Sequence, residues 1–255
     1  MKKLAIATAL FSTLAVAGTA NAYQAEVGGT INVIDPDHAN TTTGFGIDGT
    51  YYFNPVQVKD APLNEAGFLN RASNVKANVA YSDNDDLKIT TFGGGVEYFV
   101  PNTDFYASAG IQHAKAEFHD FDTKTTSYNA EVGYLPVPGL LIAAGIVGVD
   151  QKDGDNNVDP AIRAKYVTKV GQYDMNFEAA TSFGDVDYYN LGADLYLDKT
   201  FSVGAGYSGT NGDLNDEDVF SIRAKKFFNQ QVSLEGSVGF GDNYNTYGVR
   251  GAYRF

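Results

Sequence analysis

The sequence predicts an all-β fold, an antiparallel transmembrane β-barrel of about 14 strands with short periplasmic turns, behind an N-terminal signal peptide. Three observations carry this. The final stretch alternates strictly: Tyr247, Val249, Gly251, Tyr253 and Phe255 share one face, and Gly248, Arg250, Ala252 and Arg254 share the other, because side chains along a strand point to opposite sides. A face that begins and ends in aromatic residues suits lipid between two interfacial girdles, and the other face suits water. The first residues have the pattern of an exported chain. Between the two ends, alternating stretches are separated throughout by turn residues.

Lys2 and Lys3 form a positive n-region, Leu4 to Ala17 is a short apolar run, and Ala20-Asn21-Ala22 is a cleavage signal. Residues 1–22 are therefore expected to be a signal peptide and residues 23–255 the barrel, 255 − 22 = 233 residues long. The apolar run is too short for a membrane-spanning helix, and no longer one follows. The chain has no cysteine, so stability has to come from closed strand pairing rather than from disulfides. Its formal charge is −13, and −15 once Lys2 and Lys3 are removed, because residues 1–22 contain no acid. Such a balance disfavours nucleic acid, whose phosphates need clustered Lys and Arg.

Alternation places strands near 23–34, 42–54, 73–82, 87–100, 104–117, 126–135 and 140–150, then near 160–170, 172–183, 187–198, 200–209, 218–228, 231–241 and 244–255. The count is even, as both termini on the periplasmic side require; 12 strands is the alternative count. Residues 140–149 are almost continuously apolar and do not declare their faces. The acids gather in Asp83 to Asp86, Asp150 to Asp159 and Asp213 to Asp218, where Asp, Asn and Gly favour turns. These stretches and His119 to Thr125 are expected as outer loops, longer than the tight turns at Pro101, Pro136, Gly171, Asp198 and Asn229.

Residues 55–73 break the pattern. Asp60-Ala61-Pro62-Leu63-Asn64-Glu65 reads as a helix start with Asp60 as its cap. The expectation is a short helix within one long periplasmic turn, the sharper alternative being a plug over the pore mouth that uses Leu63, Phe68 and Leu69.

The start Tyr23 to Val27, the stretch Ala61 to Ser73 and the end Tyr247 to Phe255 together resemble the general bacterial porins, and within them the outer-membrane porins of Acinetobacter-type bacteria. The resemblance covers the whole chain, with the 61–73 stretch its most specific part. It implies a 14-stranded channel for water and small solutes in the outer membrane, with Tyr253 and Phe255 in the signal read by the barrel-assembly machinery.

With the aromatic face outward, the inward residues follow from parity: Glu26, Asp48, Lys76, Glu97, Glu131, Arg163, Lys165, Lys169, Asp174, Glu178, Asp194, Arg223, Lys225, Glu235, Arg250 and Arg254. Each Lys or Arg on the lipid side near the midplane would cost roughly 2–4 kcal/mol, so as a group they belong inside. Basic residues concentrate on 160–170, 218–228 and 244–255, and acids on the earlier strands, which predicts a transverse field. Acidic loops at the mouth predict a weak cation preference.

No metal or cofactor site is expected. The run from Asp153 to Asp159 begins like a calcium loop but has Val158 at the glycine position and Ala164 in place of the bidentate glutamate. His38, His113 and His119 have no nucleophile motif beside them, so an enzyme is not expected. The partners expected are outer-membrane lipid and lipopolysaccharide, the assembly machinery, and small solutes and ions, with a monomer favoured over a trimer. The alternative function is a nearly closed barrel acting in surface interaction or adhesion.

Overall fold

The computed structural model describes residues 22–255 except 85, 119–120, 153, 155, 185–186 and 212–215. Residues 1–21 of the expected signal peptide, Asp85, His119, Asp153, Asp155 and residues 213–215 of the acidic stretches therefore lie outside the described residues.

Fourteen antiparallel strands close into a barrel. They are β1 (Ala22–Pro36), β2 (Thr42–Gln57), β3 (Asn74–Asp83), β4 (Leu87–Phe99), β5 (Phe105–Phe118), β6 (Phe121–Val137) and β7 (Leu140–Gln151). The second half comprises β8 (Asn157–Val170), β9 (Tyr173–Ser182), β10 (Asp187–Asp198), β11 (Phe201–Asn211), β12 (Glu217–Phe227), β13 (Val232–Gly241) and β14 (Tyr244–Arg254). Each strand pairs with its chain neighbours, and β1 pairs with β14 in the register Glu26↔Arg254 to Pro36↔Tyr244. Phe255 completes the seam: its carbonyl accepts from the Gln24 and Ala25 amides at 2.8 and 2.9 Å, and its own amide donates to the Ala25 carbonyl at 2.9 Å. Among the described residues, no strand edge is left to recruit another chain.

The large exposed apolar residues, among them Phe45, Val79, Ile111, Val132, Ile162, Leu191 and Val249, lie on the face opposite the charged ladder. This is the band that lipid covers in a membrane barrel.

The ends of the barrel differ from the expected asymmetry. The outer connections, 37–41, 84–86, 119–120, 152–156, 183–186, 212–216 and 242–243, contain at most five residues each. Of the His119 to Thr125 stretch, the described residues 121–125 are not a loop, because β6 already begins at Phe121, which pairs with Phe118. Thr123, Thr125 and Thr126 are β-branched and extend the ladder instead. Inner turns are tight as well; at Pro138-Gly139 the glycine has φ +80°, and its carbonyl accepts from the Val167 amide at 2.8 Å. The one long connection, 58–73, lies at the inner end.

Candidate functional site: a charged lumen with a segment across its inner mouth

Connection 58–73 is built differently from its sequence expectation. Its helical part starts with a 3₁₀ turn at Leu63–Glu65 and continues as α1 (Ala66–Leu69). Pro62 occupies the cap position with no side-chain bond. Asp60 caps nothing and instead pairs with Lys199. Rather than tidying a turn outside the barrel, the segment lies in the inner mouth.

Its anchors come from all sides of the ring. From β14, the Arg254 guanidinium donates to the Leu63 carbonyl at 2.9 Å, while the Leu63 amide donates to the Lys199 carbonyl beside β11 at 2.8 Å. From β8, Lys165 meets Glu65 at 2.9 Å, and from β10 the Tyr196 hydroxyl donates to Glu65 at 2.5 Å. Glu65 is only 2% exposed. Ala66 and Ala72 pack with Tyr23 of β1 and Val56 of β2, and Phe68 packs against Phe99, Tyr106, Leu135 and Leu141 of β4 to β7. At the rim, Arg71 pairs with Asp104 at 2.8 Å. In a ring of 14, β1 and β8 are seven strands apart, so these contacts span the diameter.

The packing explains β7. Leu141 and Ala143 face inward and are buried, and Ile142 and Ile146 face outward and are exposed. Both faces meet apolar surroundings, lipid on one side and the segment on the other, so the alternation disappears.

Above the segment lies a cavity of about 520 Å³. Lys76, Glu97, Arg163, Lys165, Glu178, Asp194, Arg223, Lys225 and Glu235 line it, with Glu65 and Phe68 contributed by the segment. Its charges are paired between adjacent strands or across one intervening strand. Arg223 donates twice to Asp194, at 2.7 and 2.8 Å, and Arg163 meets Glu131 at 2.5 Å. Lys165 also reaches Glu178 at 2.6 Å, Lys76 reaches Glu97 at 3.1 Å, and Lys225 reaches Glu235 at 3.3 Å. At the seam, Arg250 bridges Glu26 at 3.0 Å and Asp48 at 2.5 Å, and Arg254 binds Glu26 at 2.5 Å. Basic and acidic strands therefore neutralise each other locally, and the expected transverse field is replaced by short-range pairs.

Lys169 and Asp174 are not in this cavity. They face each other across β8 and β9 at the inner rim, where with Leu69, Leu135 and Val167 they line a second cavity under the segment. Leu63 and Phe68 sit inside the mouth, and Leu69 sits beside this rim cavity. Tyr253 and Phe255 stack with ring centroids 6.2 Å apart at the inner end of the outer face.

Glu65 was not legible as a site residue, whereas the parity of β9 already places Asn176 inward beside Asp174 and Glu178. Asn176 is 2% exposed and donates to both Glu178 and Asp194, at 2.9 and 3.2 Å. The one signal for Glu65 was an acid placed among apolar residues in the irregular stretch.

Of the run that begins like a calcium loop, Asn157 and Asp159 belong to β8 and bond each other at 3.0 Å. His113 lies outside the barrel with Nδ1 3.0 Å from the Thr126 hydroxyl.

The model of the family described as "Putative general bacterial porin" matches residues 1–159 of the 255. The chain belongs to this family. The porin is similar to the Acinetobacter baumannii outer membrane protein Omp33, at 27% identity and a TM-score of 0.70, over 92% of this chain and 99% of that one. Two more distant structures share the fold alone. A monoaromatic hydrocarbon channel, the TodX deltaS2S3 mutant, has 7% identity and a TM-score of 0.53, over 92% of this chain and 91% of its own. A bacterial polysaccharide outer membrane secretin has 11% identity and a TM-score of 0.51, over 91% and 99%. No curated protein sequence matches the chain significantly. The porin is an outer-membrane protein with a channel role.

Proposed function

We propose that the porin passes water and small hydrophilic solutes or ions passively, and that segment 58–73 sets how much of the time it does so. The observation that carries this is a polar, internally paired cavity whose floor is a non-covalently held segment rather than a strand. The wall can exchange hydrogen bonds with a passing hydrated solute without leaving a charge bare, which suits low specificity. Aspartates at the outer rim, among them Asp35, Asp37, Asp86, Asp150, Asp187 and Asp242, support a weak cation preference arising at the mouth, because the cavity itself is close to balanced.

Planar-bilayer recording and liposome swelling with graded sugars and amino acids test the reading. The whole porin is expected to give intermittent steps. A variant with 61–70 replaced by a short Gly-Ser turn is expected to conduct steadily. Silence of that variant, once its heat-modifiable gel mobility shows it folded, would overturn the channel reading in favour of a closed barrel that acts through its surface.

A further inference from the structure

We infer that the outer face of β4, β5 and β6 is a binding site for a phosphorylated outer-leaflet glycolipid, the lipid A portion of lipopolysaccharide. In-register pairing lays the outward side chains there in rows. The row nearest the hairpin tip is Lys88, Glu117 and Asp122, and the next is Thr90, Lys115 and Lys124. Phe92, His113 and Thr126 follow, and then Gly94, Ile111 and Tyr128. The face thus changes from charged to apolar within two steps of two residues, each about 7 Å along a strand, which is where headgroups meet acyl chains.

Lys115 and Lys124 stand directly opposite each other across β5 and β6. Like charges in that relation destabilise a ladder unless an anion lies between them. Glu117 compensates Lys115 at 2.5 Å, whereas Lys124 has no ion-pair partner among the described residues. Asp122, opposite Glu117, belongs to the outermost row.

Immediately below the lysine pair is a lipid-side depression lined by Phe92, Gly93, Gly94, Ile111, His113 and Thr126. Its floor is glycine because Gly93 and Gly94 carry no side chain, and the tilted rings of Phe92 and His113, 5.2 Å apart, form one wall. A basic pair directly over an apolar trough matches a phosphate with an acyl chain hanging from the same molecule. A free phosphate would use only the upper half, and a neutral lipid only the lower.

Native mass spectrometry of the purified full barrel titrated with lipid A tests this. The K115Q/K124Q variant is expected to bind lipid A roughly thirtyfold more weakly, the effect of two lysines near an anionic lipid surface. K226Q, which removes an outward lysine at the other end of the barrel, is expected to bind unchanged. Equal binding by K115Q/K124Q and the native porin, with both showing the folded gel mobility, overturns the site. So does displacement of lipid A by inorganic phosphate, which would mark an anion site without a lipid. Equal affinity for phosphatidylglycerol would also overturn it, by marking general attraction to anionic lipid.

Discussion

Neutralising Glu65 should open the porin without unfolding it. The Glu65 carboxylate is buried and touches two groups from the barrel wall, Lys165 at 2.9 Å and the Tyr196 hydroxyl at 2.5 Å. Losing one member of a buried ion pair costs about 3–5 kcal/mol when its partner is left bare. Lys165 is not left bare in Glu65→Gln, because Glu178 remains at 2.6 Å, and the glutamine carbonyl can still accept from Tyr196. The loss is then that of one hydrogen bond to a charged group, about 2 kcal/mol, or roughly thirtyfold in the ratio of docked to undocked segment. The other anchors, Arg254 to the Leu63 carbonyl and the Phe68 cluster, are unchanged, so the segment should remain mostly docked. Single-channel recording at fixed voltage should show an open fraction about thirtyfold higher. Tyr196→Phe removes the other hydrogen bond to the same carboxylate, also worth about 2 kcal/mol, and should raise it by a similar factor. Glu65→Gln together with Lys165→Gln should fall short of additivity, because both act on one contact. An open fraction in Glu65→Gln equal to that of the native porin would refute the idea that this contact holds the segment.

Three further outcomes are expected. Arg254→Gln removes a guanidinium that binds Glu26 and the Leu63 carbonyl and lies 4.4 and 4.5 Å from the Phe227 and Tyr23 ring centroids; because Arg250 still meets Glu26 at 3.0 Å, unfolding in urea from lipid vesicles should show the loss of two charge-assisted hydrogen bonds, about 3 kcal/mol. Val249→Arg on the lipid side of β14 should cost roughly 2–4 kcal/mol if it lies near the midplane, measured the same way, and an unaltered stability would contradict the face assignment. Reversal potentials under a salt gradient should show a weak cation preference that shrinks when Asp35, Asp37 and Asp242 are replaced by Asn and persists in Arg223→Lys, which keeps the cavity charge; clear anion preference would refute the rim origin.

Much of this architecture was readable from local pattern. Tyr247 to Phe255 displays its two faces in the primary sequence because a strand has period two and needs no partner to define it. The same parity put Arg163, Asp194, Arg223 and Arg250 on the face opposite the apolar band. Phe121 to Thr125 reads as loop in the sequence, since it mixes acid, base and aromatic on a ladder extended beyond the apolar band, where the alternation signal fades.

The order, parity and closure of the strands were thus determined by the sequence itself, because each depends on residues adjacent in the chain or on an even count. Which charges meet, and what sits between them, was decided by tertiary structure. Glu65 finds Lys165 and Tyr196 a hundred or more residues away only after the sheet has curled and brought opposite walls to within reach of one short segment. For the same reason the apolar run of β7 was ambiguous in sequence: a strand with lipid on one face and a plug on the other loses the contrast that periodicity measures.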